Sequence, residues 1–276
     1  MKYTFNLLLP CLLILQASFV SVAQNKTRKA IFILVDGIPA DVIEKVPTPH
    51  LDSLSGTGKY MRAYVGGSKG DYSESPTISA VGYNSLLTGT WANKHNVWDN
   101  TIKAPNYRYP TIFRLFKNQY PQKKVAIFSS WQDNRTKLAG EGLQQTGNIL
   151  IDYHADGYEL DTLQFPQDKA RDFMHKIDNR VVQETVVHIT KQAPDLSWVY
   201  LEYTDDIGHM HGDGERYYDA VSKMDAQIGK IAQAISDRQK SIMKNGCYLL
   251  QLTMAAMSRL ASHMGDKHAG SKVPGL

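Results

Sequence analysis

The sequence is poor in cysteine and has no strongly charged run. Of its two cysteines, Cys11 lies in the N-terminal apolar stretch and Cys247 is the other. With Cys11 removed by signal cleavage, Cys247 alone excludes an intramolecular disulfide and a thiolate metal cluster, so any metal must be held by histidine and carboxylate. The net charge of +4 over 276 residues is too mild to indicate a nucleic-acid partner. No internal repeat or low-complexity segment is present.

The N-terminus has the pattern of a signal peptide. Lys2 supplies a positive charge, residues 7–20 are mostly apolar, and Ser21-Val22-Ala23 is a small-x-small cleavage site. A short membrane anchor is the alternative, but the run is interrupted and shorter than the roughly 20 apolar residues that a span needs. We therefore expect a secreted, periplasmic protein with no membrane span after cleavage. The predicted divisions are 1–23 for the signal peptide, 24–240 for a catalytic domain and 241–276 for an aberrant tail.

Buried apolar runs alternate with amphipathic segments, which predicts an α/β fold with a mostly parallel sheet sandwiched between helices. The predicted strands are 29–35, 59–65, 124–128 and 196–203, and the predicted helices begin near 48, 79, 111, 168 and 215. Functional groups of such folds lie at the carboxyl ends of strands. Asp36 and Asp205 each follow a predicted strand, and Ser79 begins a predicted helix.

A carboxylate and an imidazole follow the strand at 196–203. Asp205 and His209 are four residues apart and can reach one divalent ion if the segment curls. Zinc tolerates such a mixed oxygen and nitrogen set. A polar surface loop with chance histidines is the alternative, and Asp206 and His211 are predicted to be solvated loop residues.

Ser79 stands at the start of its predicted helix. The unpaired backbone N–H groups and the dipole of a helix N-terminus suit a phosphate or sulfate oxygen. A serine needs a base or a metal to become a nucleophile, and no Gly-x-Ser-x-Gly elbow surrounds this one. The alternative is a helix-capping serine, which stabilises the helix by about 1 kcal/mol and has no catalytic role.

Taken together, these features resemble the alkaline phosphatase superfamily, closest to its type I phosphodiesterase/nucleotide pyrophosphatase branch. Ser79 stands ten residues before Gly89 of Leu-Leu-Thr-Gly, and residues 205–212 read Asp-x-x-Gly-His-x-x-Gly. Residues 48–54 are similar to the family's Thr-Pro-Asn-Leu-Asp helix. The resemblance runs from residue 30 to about residue 239.

The resemblance implies a zinc-dependent hydrolase of small phosphate esters with two Zn²⁺ ions. Asp36 and Ser79 would bind one zinc, and Asp205 and His209 would bind the other. Ser79 would attack phosphorus as the nucleophile, and zinc-bound hydroxide would hydrolyse the phosphoseryl intermediate. Substrate contacts would fall on Ala80 and on the position of Gly82.

Two departures bear on the substrate. The Pro and Arg of the sulfatase motif are absent after Ser79, so sulfatase activity is disfavoured. The diesterase branch usually has Thr as nucleophile and Asn three residues later, where this chain has Ser79 and Gly82, so monoester and diester substrates both stay open. Residues 134–165 are the predicted substrate-binding insert. Three side chains could line it, although ordinary packing is the better interpretation of each: Trp131, Asn134 and Tyr153.

The family's Asp-His-Gly and His-Gly-Gly motifs do not occur after residue 240. One hypothesis is a divergent tail that uses His263 and His268 as ligands. The favoured hypothesis is a one-base frameshift or sequencing error near residues 241–244, because back-translation of 251–257 in the shifted frame permits Thr-Asp-His-Gly-Arg-Asp. The chain would then lack closing strands, bind zinc weakly and have lost most activity. An inactive remnant and a metal-dependent phosphotransferase are the alternative functions.

Overall fold

The computed structural model describes residues 28–243 and 250–257. Five strands in this part of the chain form one sheet, and every neighbouring pair is parallel. In chain order the strands are β1 Lys29–Asp36, β2 Val125–Ser129, β3 Tyr153–Ala155, β4 Leu196–Leu201 and β5 Leu250–Met257. Their order across the sheet is β3-β2-β4-β1-β5, so β1 and β4 lie side by side at its centre.

Helices cover both faces of the sheet. In chain order they are α1 Ala40–Lys45, α2 Pro49–Thr57, α3 Ser79–Thr88, α4 Ala92–His95, α5 Ile112–Gln119, α6 Asp172–Lys191, α7 Tyr203–His211 and α8 Glu215–Met243. Helices α6, α7 and α8 contribute to one apolar core, and α3, α4 and α5 contribute to the other. The predicted α/β fold with a parallel sheet between helices is confirmed.

Alternation along β1 decides which core each side chain enters. Ile31, Ile33 and Val35 belong to the core under α6 and α8, whereas Leu34 belongs to the core under α3. Because successive side chains of a strand point to opposite faces, Asp36 continues the face of Leu34. The carboxylate is therefore directed to the side of the sheet that α3 covers.

One predicted strand does not form. Residues 59–65 adopt no regular structure, and Tyr60, Met61 and Tyr64 are exposed. The segment carries β-branched and aromatic residues, but in the structure it pairs with no described strand. Strand propensity measures how well residues pack on a half-buried sheet surface. It does not produce a strand where no neighbouring strand is available for pairing.

The tail contributes one strand to the edge of the sheet. Residues 250–257 form β5, which pairs in parallel with β1 from the Lys29 and Leu250 pair to the Asp36 and Met257 pair. The β5 side of β1 is therefore covered, and β5 becomes the edge strand, with no further described strand beyond it.

Several expectations lie outside the described residues. These are the signal peptide at 1–23, the frameshift segment at 244 and the candidate ligands His263 and His268. They stay predictions. Among the described residues, no helix is both long enough and apolar enough to cross a membrane.

Candidate active site at the carboxyl edge of the sheet

Asp36 ends β1 and is almost completely buried, at 3% exposure. Its Oδ1 accepts a hydrogen bond from the Gly37 N–H (2.9 Å), and its Oδ2 accepts from the Ser79 hydroxyl (2.9 Å). The Tyr83 hydroxyl also donates to Oδ2, and the Tyr200 hydroxyl approaches the same oxygen at 3.4 Å. Sequence analysis singled out Asp36 and Ser79, and the structure brings them into direct contact.

The two tyrosines were not identified from the sequence. Tyr83 lies on α3 and Tyr200 on β4, both are buried, and their hydroxyl oxygens are 2.9 Å apart. Burial, together with charged groups that include Asp36, raises the pKa of each phenol well above its ordinary value. Both hydroxyls therefore stay protonated at neutral pH and can donate to the carboxylate. Two isolated tyrosines within apolar runs are indistinguishable from core residues in the sequence.

Ser79 is the first residue of α3, and the N-cap position belongs to Ile78. Its hydroxyl donates to Asp36 and caps no backbone group, so the helix-capping interpretation of Ser79 was wrong. The hydroxyl is half-buried at a helix N-terminus, where backbone N–H groups and the helix dipole favour an anion.

The two predicted substrate-contact positions lie in the first turn of α3. The Ala80 N–H donates to Asn100 Oδ1 at 3.0 Å, and the Gly82 N–H donates to the Ile78 carbonyl at 3.0 Å. Asn100 is an additional polar group that sequence analysis missed. It comes from a distant loop and takes its place beside Ser79 through tertiary structure, so no local pattern could have revealed it.

Asp205 and His209 lie on one face of α7, where the sequence analysis expected a loop. Asp205 Oδ1 and His209 Nε2 are 3.4 Å apart, with the aspartate side chain mostly buried and the imidazole 49% exposed. The four-residue spacing is one helical turn, which places the two groups side by side. The segment was mistaken for a loop because its polar residues hide the helical period.

Gly37 brings the two pairs of side chains together. Its φ is +76°, and a Cβ built at this position would lie 2.4 Å from the Asp205 Cα. The Thr204 hydroxyl donates to the Asp36 carbonyl at 2.6 Å, and the Tyr217 hydroxyl donates to the Gly37 carbonyl. Only glycine permits this close approach of the turn after β1 to the first turn of α7.

The first turn of α7 is held from behind by Asp178 of α6. Asp178 is 2% exposed and accepts from the Ser130 hydroxyl (2.5 Å), the Glu202 N–H (3.1 Å) and the Tyr203 N–H (3.0 Å). These two N–H groups begin α7 and have no partner within the helix. Burial raises the pKa of Asp178 to about 7, although the three donors oppose that shift.

Asp206 is not the solvated loop residue that we expected. Its carboxylate accepts two hydrogen bonds from Arg171, from Nε at 2.7 Å and Nη2 at 2.6 Å. Arg171 precedes α6 in the left-handed region at φ +63°, and its guanidinium lies 4.7 Å from the ring centroid of Phe173. Burial raises the pKa of Asp206 while the guanidinium lowers it. His211 is exposed, as predicted, with Nε2 3.5 Å from an Arg216 nitrogen.

The remaining predicted substrate residues take packing positions. Asn134 is fully buried and donates to Ser129 Oγ at 3.0 Å, and Tyr153 packs on the His188 ring at 5.5 Å. Trp131 is half-buried beside the Tyr83 ring, 6.4 Å between centroids. Of the three, only Trp131 neighbours the Asp36 and Ser79 pair.

The donors fit zinc in kind. Asp36 and Ser79 offer two oxygens, and Asp205 and His209 offer an oxygen and a nitrogen, which are ligand types that zinc accepts. The described residues contain no group of three His, Cys, Asp or Glu side chains that could hold one ion. Among the described residues, Asp36 with Ser79 and Asp205 with His209 are therefore two separate pairs of candidate donors.

A parallel sheet with a buried aspartate, a helix-terminal serine and a second acid and histidine pair at its carboxyl edge is the arrangement that the resemblance to the alkaline phosphatase superfamily implies. The sequence matches the family model for type I phosphodiesterase / nucleotide pyrophosphatase over residues 30–243. The chain belongs to that family, whose characterised activities are phosphoester hydrolysis. A search of curated proteins gives no match.

Solved structures share the fold. Murine ectonucleotide pyrophosphatase / phosphodiesterase 5, an inactive variant in complex with AMP, is 17% identical with a TM-score of 0.56. The human form is also 17% identical, with a TM-score of 0.54. Both matches cover 83% of this chain and 56% of the solved chain. Phosphonoacetate hydrolase from Sinorhizobium meliloti is 12% identical, with a TM-score of 0.51. The match covers 76% of this chain and 54% of the hydrolase chain. This chain thus spans little more than half the length of these proteins.

Proposed function

We propose that this protein hydrolyses small phosphate esters by transfer of the phosphoryl group to Ser79. The observation that carries the proposal is the hydrogen bond from the Ser79 hydroxyl to the buried Asp36 carboxylate (2.9 Å) at the N-terminus of α3. A serine that merely capped the helix would direct its oxygen to a backbone N–H instead. Family membership supports the reaction class.

The residues around Ser79 suit an attack on phosphorus. Asp36 orients the hydroxyl, and the Tyr83 hydroxyl on the same carboxylate oxygen restricts how that carboxylate can rotate. The phosphate oxygens would face the N-terminus of α3, where the dipole favours negative charge, with the Asn100 amide beside them. Ser79 loses its hydroxyl proton to water as the Oγ–P bond forms and the bond from phosphorus to the leaving oxygen breaks, and the leaving oxygen takes up a proton from water. A second water then attacks phosphoserine: its OH group stays on phosphorus, its other proton restores the Ser79 hydroxyl, and phosphate, or a phosphomonoester from a diester, is released.

Two zinc ions are part of the proposal. Asp36 and Ser79 would hold one, and Asp205 and His209 would hold the other. When bound, such ions lower the pKa of an attacking hydroxyl and stabilise the charges of the attacking and leaving oxygens. The shared backbone contact at Gly37 supports placing both ions in one site.

The type of substrate ester and the cellular location are also part of the proposal, and each has fewer observations to support it. The family supports a phosphodiester or pyrophosphate bond as the substrate, whereas Ser79 and Gly82 in place of the family's usual Thr and Asn leave a monoester in contention. The secreted, periplasmic location depends on the signal-peptide pattern of residues 1–23 alone. Neither choice alters the role proposed for Ser79.

The test uses the full chain with added ZnCl₂. Turnover of p-nitrophenyl phosphate and bis(p-nitrophenyl) phosphate is compared between the wild type, Ser79→Ala and Ser222→Ala, an exposed serine on α8 that serves as the matched control. Removal of the nucleophile should lower kcat by about 10³-fold or more, and the control should leave kcat unchanged. Acid quenching and mass spectrometry should find phosphate on Ser79.

Zinc binding measured by equilibrium dialysis separates the alternatives. Two ions per chain, one of which is lost in Asp205→Asn, would support the two-site proposal. A chain that binds no zinc and forms no phosphoserine is the inactive remnant. Turnover that survives Ser79→Ala undiminished would contradict the proposed nucleophile.

A further inference from the structure

A second feature of the molecule is a basic groove of about 800 Å³ beside α5. Its volume falls in the range typical of small-molecule sites, about 300–1,000 Å³. Three cations and three amide side chains line it, and no carboxylate does. The lining residues used below are Lys103, Arg108, Arg114, Asn106, Asn118 and Gln145.

Arg114 is fixed in position without being neutralised. Its Nη1 donates to the Tyr107 carbonyl at 3.0 Å and to the Gln145 carbonyl at 3.1 Å. Carbonyl oxygens orient the guanidinium but leave its full positive charge. No hydrogen bond from its Nε or Nη2 is found among the described residues, and both nitrogens lie about 4 Å from the position that a Cβ at Gly147 would take.

Two other cations of the described chain are paired with carboxylates. Lys117, three residues beyond Arg114, forms an ion pair with Asp152 at 3.1 Å, and Arg135 pairs with Asp156 at 2.5 Å. Lys103, Arg108 and Arg114 form no ion pair within 4 Å of a described carboxylate, although hydrogen bonds from Thr101 and the nearby charge of Lys103 both lower the pKa of the Asp99 carboxyl. Like charges that converge with so little counter-charge raise the local potential and attract anions.

One wall of the groove is rigid before any ligand arrives. The Tyr107 hydroxyl donates to the Lys137 carbonyl at 2.6 Å, and the ring leaves no room for a side chain at Gly140. The Asn106 amide donates to the Lys94 carbonyl at 2.9 Å. A preformed wall reduces the ordering cost of binding.

We propose that this groove binds a small, multiply charged oxyanion, with a phosphate group facing the guanidinium of Arg114. A guanidinium that contacts only carbonyl oxygens keeps its charge, and its planar group of donors suits phosphate oxygens. Lys103 and Arg108 would contact the remaining charge, and the amides of Asn118 and Gln145 would donate to further oxygens. The proposal is independent of zinc and of catalysis at Ser79.

The experiment titrates the full chain with inorganic pyrophosphate by calorimetry, in EDTA and at low salt. Arg114→Gln, and separately the double variant Lys103→Gln/Arg108→Gln, should each weaken binding about tenfold or more, because each removes charge-assisted hydrogen bonds. The control is Lys69→Gln/Lys169→Gln, which removes the same charge from exposed positions without ion pairs. It should change the dissociation constant less than twofold.

Three results would overturn the proposal. One is a wild-type chain that binds no pyrophosphate. Another is a control variant that weakens binding as much as the groove variants do, since the effect would then be net charge alone. The third is binding that persists in Arg114→Gln and disappears in Asn100→Ala, because the anion would then lie at the N-terminus of α3. Circular dichroism checks that each variant is folded.

Discussion

The close backbone contact between Gly37 and Asp205 offers the sharpest test of how the Asp36 and Ser79 pair is held beside the Asp205 and His209 pair. In Gly37→Ala the new methyl would lie 2.4 Å from the Asp205 Cα and 2.8 Å from its Cβ, whereas ordinary contact begins at 3.4 Å. The first turn of α7 must therefore retreat by about 1 Å from the end of β1. Asp205 and Asp36 would move apart together with their helices and strands.

The expected cost has two parts. A residue with a Cβ at φ +76° costs about 1–2 kcal/mol relative to glycine. Overpacking against backbone that cannot rotate away costs about 1–3 kcal/mol more. The free energy of unfolding should fall by about 2–5 kcal/mol, which lowers Tm by roughly 5–15 °C for a chain of this size.

A matched control isolates the steric part. Gly89 has nearly the same backbone conformation, φ +65°, but a Cβ there would meet no atom within 4 Å. Gly89→Ala should therefore show only the conformational cost. Urea unfolding of both variants measures the difference, expected at about 1–3 kcal/mol. Equal destabilisation of the two variants would refute the argument that Gly37 sets the spacing between Asp36 and Asp205.

Two further predictions concern groups that support the site. Asp178→Ala removes the acceptor for the Ser130 hydroxyl and for two N–H groups that begin α7, so the free energy of unfolding in urea should fall by about 3–5 kcal/mol. Asp178→Asn, which keeps one acceptor oxygen, should lose clearly less, and equal losses would argue against the hydrogen-bond explanation. His95 is fully buried against Ser85, and burial lowers its pKa to about 4. Below about pH 6.5 the unfolded state gains a proton that the native state does not take up, so stability should fall between pH 6.5 and pH 4. Between pH 7 and pH 4.5 the wild type should lose up to about 2 kcal/mol more than His95→Gln, with the exposed His154→Gln as control; parallel pH profiles would contradict this.

The elements that the sequence predicts well are those with uninterrupted apolar runs or clear amphipathic periods. Strands β1, β2 and β4 and helices α3, α5, α6 and α8 appear within a few residues of their predicted bounds. That Asp36 and Ser79 share one site was implied by the family resemblance, whereas local signals only placed Asp36 at the end of a strand and Ser79 at the start of a helix. Parallel strands bring such ends to one edge.

Other parts of the site depend on contacts between distant segments. Asn100 reaches Ala80 only because its loop folds over the start of α3. Arg171, which directly precedes α6, reaches Asp206 on α7 only because these two helices pack together. Helix α7 was missed because its residues are polar on the face that carries Asp205. Nothing in the spacing of these residues distinguishes a partner in space from a solvated side chain.

The geometry of the site is fixed by backbone more than by the side chains that would hold metal. The Asp36 carbonyl accepts a hydrogen bond from the Thr204 hydroxyl of α7, and the Gly37 carbonyl accepts one from the Tyr217 hydroxyl of α8. The turn after β1 is therefore hydrogen-bonded to both α7 and α8. A metal site is effective when its supporting contacts hold the ligands in place before the ion binds. Because these contacts lie wholly within the described part of the chain, the fold itself holds Asp36 and Asp205 close together before any ligand binds.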